Sequence, residues 1–174
     1  TISGDLDYTS EGVHRVGRTL LDANTGDPSV RVNLARDAMA RTSALLHVAV
    51  YTSTGQRIDT IYRSDDARTL APLDTLPPAL VTTPPRVGRW LPAEFVGGTV
   101  AIRYAEALAS EGSDTVRIVV VGTLSPTWLD EITTAISRDQ YRVSDRVLLT
   151  DSSARLLTRS FAPPGTSLAT EDIF

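Results

Sequence analysis

The first quarter of the chain carries its hydrophobic residues at helical spacing. Between residues 6 and 22, apolar side chains recur every three or four positions, which predicts an amphipathic helix. A second helix is predicted over residues 29–42, because Asp27 can cap it and Pro28 suits a first helical turn. The chain therefore opens with two helices, each with an apolar side to bury.

The pattern then changes to the short apolar runs and alternation of β-strands. Three segments each predict a strand, a polar turn and a second strand. They pair residues 44–51 with 57–63, 99–105 with 115–122, and 146–150 with 155–159. Between the second and third hairpins, Ser125 and Pro126 predict the start of a helix, with serine as the cap and proline in the first turn.

A proline-rich connection separates the first two hairpins. Six of the ten prolines lie between residues 64 and 97, which argues against a continuous helix or a central strand there. At most a single helical turn is expected, near residues 74–80. Connections of this length in compact domains are usually lids or binding loops.

The order of elements predicts an α+β fold. An antiparallel sheet is expected, with the N-terminal helices packed on one face and the proline-rich loop on the other. We expect a single domain over residues 1–162 and a C-terminal tail over residues 163–174. The last hairpin either completes this domain or begins a second one.

Composition narrows the classes of function. The 174 residues are 41% hydrophobic and 22% charged, which is ordinary for a globular protein. The net charge of −4 argues against a nucleic-acid-binding module built on a basic face. The chain has no cysteine and no lysine, so disulfides, thiol catalysis and lysine-based catalysis are excluded.

No pattern in the sequence predicts a metal site, a cofactor site or a catalytic centre. His14 and His47 lie far apart and lack carboxylate partners at ligand spacing. The motifs Gly-x-Ser-x-Gly, His-Glu-x-x-His and Gly-x-Gly-x-x-Gly are all missing. A small hydrolase stays as a third hypothesis, which requires a nucleophile hydrogen-bonded to a base.

Alternation along the predicted strands places candidate binding residues on one face. Leu46, Val48 and Val50 would face the helices, and His47, Tyr51 and Arg103 would face the other way. The same face would hold Ala49, Ala101, Ala105, Arg117 and Val119. Small residues around a few polar ones suit a ligand cavity covered by the proline-rich loop. The alternative is a solvated face whose arginines are surface charge.

Three segments carry a resemblance to a known family. Residues 47–58 (HVAVYTSTGQRI), 119–129 (VVVGTLSPTWL) and 147–157 (VLLTDSSARLL) resemble the strand–turn–strand and strand-to-helix steps of Cache-type (PAS-like) extracytoplasmic sensor domains of bacterial membrane receptors. The resemblance covers roughly residues 6–160. Thr123 stands where many such domains have aspartate. Amino-acid-binding members of the family pair an arginine with a Trp-Tyr sequence. Here Arg89 and Trp90 are followed by Leu91 and not by tyrosine, so an amino-acid ligand is not expected.

The resemblance implies a binding site under the 64–97 loop. Its first candidates are Arg103 and Tyr51, followed by His47 and by Trp90 from the loop above. Arg103 favours an anionic small molecule, because a guanidinium presents a two-pronged set of donors to a carboxylate. No enzymatic activity of this segment is expected.

The resemblance also implies a setting. The chain begins at Thr1 without an initiator methionine, so we expect an excised fragment whose transmembrane helices lie outside it. The domain would sit on the extracytoplasmic side of a bacterial membrane and signal to a cytoplasmic histidine kinase of a two-component system, a cyclase or a phosphatase. Homodimerisation through the first helix is expected. The alternative is a cytoplasmic GAF-like or PAS-like regulatory domain, and an apolar segment of about 20 residues before Thr1 would favour the extracytoplasmic sensor.

Overall fold

The computed structural model describes residues 2–21, 27–63, 70–140, 149–150, 153, 155–157 and 164–167. Its helices are α1 (Ile2–Leu21), α2 (Pro28–Ala40), α3 (Pro78–Thr82) and α4 (Pro126–Gln140). Its strands are β1 (Leu45–Thr52), β2 (Arg57–Tyr62), β3 (Arg89–Trp90), β4 (Glu94–Val96), β5 (Thr99–Ala101), β6 (Arg103–Ala109) and β7 (Val116–Leu124). The chain divides into two compact units, one formed by Thr1–Leu91 with Arg103–Thr123 and the other by Pro92–Ile102 with Leu124–Phe174.

A five-stranded sheet organises the first unit. The strand order is β2-β1-β7-β6-β3, and the pairs β1/β2, β6/β7 and β3/β6 are antiparallel. Arg103 opposes Thr123 in the β6/β7 pair, and His47 opposes Tyr62 in the β1/β2 pair. The predicted α+β class with an antiparallel sheet is confirmed.

One face of this sheet packs against α1 and α2, and we call it the helix face. Val13 and Val16 of α1 and Ala35 and Met39 of α2 are fully buried there. Against them lie the aliphatic residues of the sheet, Val48, Val50, Ile61, Leu108 and Val120. The predicted cap of α2 is also present, since the Asp27 carboxylate accepts a hydrogen bond of 2.9 Å from the Ser29 backbone N–H.

Residues 70–88 cross the opposite face, which we call the second face. Leu73, Leu76, Leu80 and Val81 from this segment pack against sheet residues Ala49, Tyr51, Ala105, Ala107, Val119 and Val121. Two backbone hydrogen bonds join this segment to the sheet. The Leu76 N–H donates to the carbonyl of Gly55, in the turn between β1 and β2 (2.9 Å), and the Ala107 N–H of β6 donates to the Pro85 carbonyl (2.8 Å). The proline-rich connection therefore covers the second face, as predicted, and its residues 64–69 lie outside the described part.

The predicted strand over residues 99–105 is wrong in its extent. It is divided at Ile102: β5 pairs with β4, whereas β6 begins at Arg103 and continues to Ala109. The first residue beyond the predicted end is the charged Glu106. The structure buries Glu106, which is 8% exposed, and places the His14 ring 2.8 Å from its carboxylate.

The second unit contains a β4–β5 hairpin and α4. The hairpin turns at Gly97 and Gly98, whose positive φ angles of 57° and 75° favour glycine. Ser125 caps α4, accepting a hydrogen bond of 3.4 Å from the Trp128 N–H, and α4 lies against β5.

Part of the predicted third hairpin is also described in the second unit. Thr150 and Leu156 form an antiparallel bridge, and the Arg155 guanidinium lies 4.6 Å from the centre of the Phe95 ring. Residues 146–148 and 158–159 of this hairpin, and residues 163 and 168–174 of the tail, lie outside the described part of the chain. The single domain over residues 1–162 stays a prediction.

Candidate ligand-binding site on the second face

The three middle strands of the first unit each place one polar side chain on the second face. These are His47 on β1, Thr123 on β7 and Arg103 on β6, with exposed fractions of only 1%, 1% and 5%. Their strands are neighbours in the sheet, and Arg103 and Thr123 are direct cross-strand partners. Side chains opposite each other in an antiparallel pair lie within contact distance. The sequence therefore folds into a group of buried polar side chains on a mainly apolar face, towards the start of β6 and the end of β7.

The His47 side chain is buried, but its ring nitrogens lack hydrogen-bond partners in the described structure. The nearest aromatic neighbour, Tyr62, lies 5.5 Å away between ring centres. Burial, and then the positive charges of Arg103 and Arg57, lower the pKa of His47 to about 4. The imidazole is therefore neutral at pH 7 and presents one donor and one acceptor.

Thr123 adds a further unsatisfied group. Its Oγ1 is buried and has no hydrogen-bond partner in the described part of the chain. Buried polar atoms of folded proteins are nearly always paired, because leaving one unpaired costs about 1–3 kcal/mol. The second face thus holds hydrogen-bonding capacity that the described residues of this protein do not use.

Tyr51 joins the sheet to the segment that covers it. Its hydroxyl donates a hydrogen bond of 2.7 Å to the Leu73 carbonyl. Burial raises the pKa of Tyr51 to about 12, although the nearby charges of Arg57 and Arg103 oppose the shift. Because its proton is committed to Leu73, the Tyr51 hydroxyl is available to a ligand as an acceptor only.

Two arginines and one aspartate act on the polar groups of the site. Arg103 and Arg57 both act on His47 and Tyr51, and the carboxylate that also acts on Tyr51 is Asp74. Asp74 lies 3.5 Å from the Arg57 guanidinium, in a pair that is largely exposed. Arg103 contributes a positive charge that is buried in this face.

Trp90 is not brought together with the other three predicted site residues. It lies on edge strand β3 and not in a loop above the site, and it pairs with Tyr104, their rings 5.3 Å apart. Tyr104 packs on the helix face, so cross-strand pairing puts Trp90 on that side of the sheet. His47, Tyr51 and Arg103 do share the second face, as alternation predicted.

Two further placements differ from the expected face. A register irregularity between Leu108 and Ala109 shifts the alternation of β7, so Val116 packs on the second face and Arg117 is exposed. Ala101 belongs to β5 in the second unit. Thr123 was missed as a site residue, although alternation from Val119 and Val121 would have placed it there.

The described residues also bear on metal binding, on hydrolysis and on membrane spanning. They include no group of three metal-ligating side chains. The hydrolase hypothesis requires a base that is hydrogen-bonded to a nucleophile. The His14 ring is hydrogen-bonded to the Glu106 carboxylate, and His47 has no hydrogen bond to any side chain that the structure describes. No helix in the described part is both long enough and apolar enough to cross a membrane.

Comparison with known proteins identifies the fold. The sequence matches no protein-family model, and no curated protein sequence matches it. Solved structures do match. The ligand-binding domain of the Pseudomonas fluorescens chemoreceptor CtaA in complex with L-valine has a TM-score of 0.63 and 16% identity, covering 96% of this chain and 72% of that one.

The same domain in complex with L-isoleucine has a TM-score of 0.60 and 17% identity, covering 96% of this chain and 66% of that one. In complex with L-leucine it has a TM-score of 0.58 and 16% identity, covering 91% and 63%. This chain therefore spans about two thirds of the length of those domains. These matches show that the chain shares the α+β fold of a bacterial chemoreceptor ligand-binding domain, as the resemblance to a receptor sensor domain implied.

Proposed function

We propose that this chain is the ligand-sensing part of an extracytoplasmic receptor domain and that it binds a small anionic molecule on the second face. Arg103 would hold a carboxylate, and His47, Thr123 and Tyr51 would contact the rest of the ligand. The segment over residues 70–88 would cover it. The domain itself would be non-catalytic, binding its ligand and releasing it unchanged.

The observation that carries this proposal is the state of His47. A neutral, buried imidazole without a hydrogen-bond partner among the described residues lies within the field of a buried arginine. A ligand that places a hydroxyl or ammonium group on the imidazole would supply the partner that His47 lacks, and its carboxylate would be held by Arg103. Hydroxy carboxylates and amino carboxylates are therefore the first ligands to test. The solved domains of the same fold, in complex with L-isoleucine and L-valine, support including the second class.

Signalling would pass through the helix face. Both faces belong to the same strands, so a ligand that repositions β1, β6 or β7 also changes the surface on which α1 and α2 rest. Such a change biases an output only if the ligand prefers one of two states of the domain. In the parent protein, α1 would lead to a membrane segment and pair with α1 of a second subunit. The output would be a cytoplasmic kinase, cyclase or phosphatase.

Ligand screening with matched variants tests the proposal. A specific hydroxy or amino carboxylate should raise the melting temperature of the purified chain by mass action, and calorimetry should give its Kd. Arg103→Gln should weaken binding at least a hundredfold, because a charge-assisted, two-pronged contact is lost. Arg117→Gln is the control, since it removes the same charge from an exposed position of β7.

A second variant keeps the test decisive if Arg103→Gln fails to fold. Thr123→Val replaces the unpartnered hydroxyl with a methyl group of similar shape, so the melting temperature should hold or rise while binding weakens. Unchanged binding in both Arg103→Gln and Thr123→Val would remove the second face as the ligand site.

A further inference from the structure

A cleft on the helix face, on the opposite side of the sheet from the proposed ligand site, has no part in the function described above. Its volume is about 230 Å³, and it lies where the end of α1 and the start of α2 meet β1, β2 and β7. Five aliphatic side chains line it: Leu20, Val32, Val50, Ile58 and Ile118. The cleft is therefore a mainly apolar space bounded by regular secondary structure, as small-molecule sites usually are.

Arg31 supplies the cation of this cleft. Its Nε atom is buried and has no hydrogen-bond partner among the described residues. A guanidinium has only donors, so the missing partner must be an acceptor. Arg31 also contributes to the low pKa of the Asp27 carboxyl, although the hydrogen bonds from Ser29 are the larger cause. The charge of Arg31 is therefore a minor contribution to the interactions of the Asp27 cap.

Among the described residues, Asp59 is the one carboxylate in the lining, and it does not meet this demand. It is exposed, its Oδ1 accepts a hydrogen bond of 2.7 Å from the Thr60 backbone N–H, and it forms no ion pair with Arg31 in the described structure. The described lining therefore carries one positive and one negative charge. A dicarboxylate would add a second negative charge near Asp59, so a ligand with a single carboxylate suits the cleft better than one with two.

We propose that this cleft is a second binding site, for a small aliphatic monocarboxylate. The carboxylate would lie on the guanidinium of Arg31, and the hydrocarbon part would lie against the five aliphatic side chains. The volume is roughly eight times the 30 Å³ that a water molecule occupies in the liquid, which suits a chain of a few carbons. Ile58, now 58% exposed, would lose exposed apolar surface on binding, which favours the complex.

Methyl NMR titration tests this proposal. Protein labelled at isoleucine δ1 methyl groups would be titrated with sodium 4-methylpentanoate. Ile58 and Ile118 should shift together and saturably, whereas isopentylamine and glutarate at the same concentrations should leave them in place. The amine tests the requirement for an anion, and the dicarboxylate tests the repulsion from Asp59.

Two variants separate this site from the one in the proposed function. Arg31→Gln should raise the Kd for 4-methylpentanoate at least tenfold, whereas Arg36→Gln, which removes an exposed charge from the same helix, should leave it unchanged. Arg103→Gln should also leave it unchanged. An absence of shifts at Ile58 and Ile118, or equal binding by Arg31→Gln, overturns the second site. Binding that survives Arg31→Gln and is lost in Arg103→Gln assigns the ligand to the second face instead.

Discussion

The two faces of the sheet bury their residues in different ways. The helix face is filled by aliphatic side chains, and its approach to α1 is so close that a Cβ at Gly17 would lie 2.5 Å from Leu108 Cδ1. The second face has small residues such as Ala49 and Ala105, and it encloses polar groups whose hydrogen bonds are incomplete within the described structure. Buried polar atoms without a partner in the described structure occur on both sides, at Arg31 Nε and Glu106 Oε2 towards the helices and at His47 and Thr123 on the second face. The difference lies in the packing around them, which is mainly aliphatic on the helix face and includes small residues on the second face.

The largest expected effect concerns the helix face. Leu108→Ala should lower the free energy of unfolding by between about 3 and 4 kcal/mol, because it removes a side chain that is 2% exposed and leaves a cavity beside α1. Urea denaturation of both proteins measures the difference. A loss below about 1 kcal/mol would show that the helix face is not the close-packed one.

A second substitution sharpens that test. Gly17→Ala alone should destabilise the protein, because the added Cβ meets Leu108 and Val120, both buried. In the Leu108→Ala background the same change should cost less by at least about 1 kcal/mol, since the main obstacle is gone and alanine favours the helix. Gly4→Ala, at an exposed position of α1, is the matched control and should show no such coupling.

An intermediate effect is expected on the second face and depends on pH. The pKa of His47 is about 4 in the folded protein against an ordinary value of 6.5, so the unfolded chain takes up the proton first as pH falls. The stability contributed by the neutral imidazole is complete above pH 6.5. It is lost between pH 6.5 and 4, by about 3 kcal/mol in total.

His47→Gln isolates this contribution. Unfolding free energies would be measured for both proteins from pH 4 to pH 7. Their difference should change steadily across that interval, because the other ionisable groups are the same in both proteins and their contributions cancel. A constant difference would mean that His47 titrates normally and is not buried as described.

The smallest of these effects concerns the contact between the second face and its cover. Tyr51→Phe should destabilise the protein by about 1 kcal/mol, because the Leu73 carbonyl loses the hydroxyl that donates to it. Tyr62→Phe should change stability by much less, since the Tyr62 hydroxyl has no hydrogen bond among the described residues. Equal effects of the two substitutions would contradict the proposed tie between the sheet and residues 70–88.

Much of the fold follows from local pattern. The hairpin around Gly55, the cap at Asp27 and the Ser125–Pro126 helix start were predicted because turn and cap chemistry is set by residues close in sequence. The face shared by His47, Tyr51 and Arg103 was predicted because successive side chains of a strand point to opposite faces of the sheet. These are the features for which tertiary contacts and sequence pattern agree.

The remaining features depend on contacts between distant residues. The extent of β6 was underestimated because Glu106 is held under α1 by His14, a pairing across 92 positions that no local pattern reveals. Trp90 was expected above the site, but β3 pairs with β6 and turns it to the helix face. The register irregularity near Ala109 likewise exposes Arg117, which alternation alone had placed on the second face.

The glycine contacts beneath α1 restrict how that helix can move. A Cβ at Gly122 would lie 2.3 Å from Val13 Cγ2, and one at Gly17 would meet Leu108, so each glycine leaves room for a particular side chain across the interface. The residues three and four positions from Gly17 on the same side of α1 all carry a Cβ, so a slide of α1 by about one helical turn would bring one of them against Leu108. A slide of that size is therefore sterically opposed, and α1 keeps its register against β6 and β7 unless this packing opens.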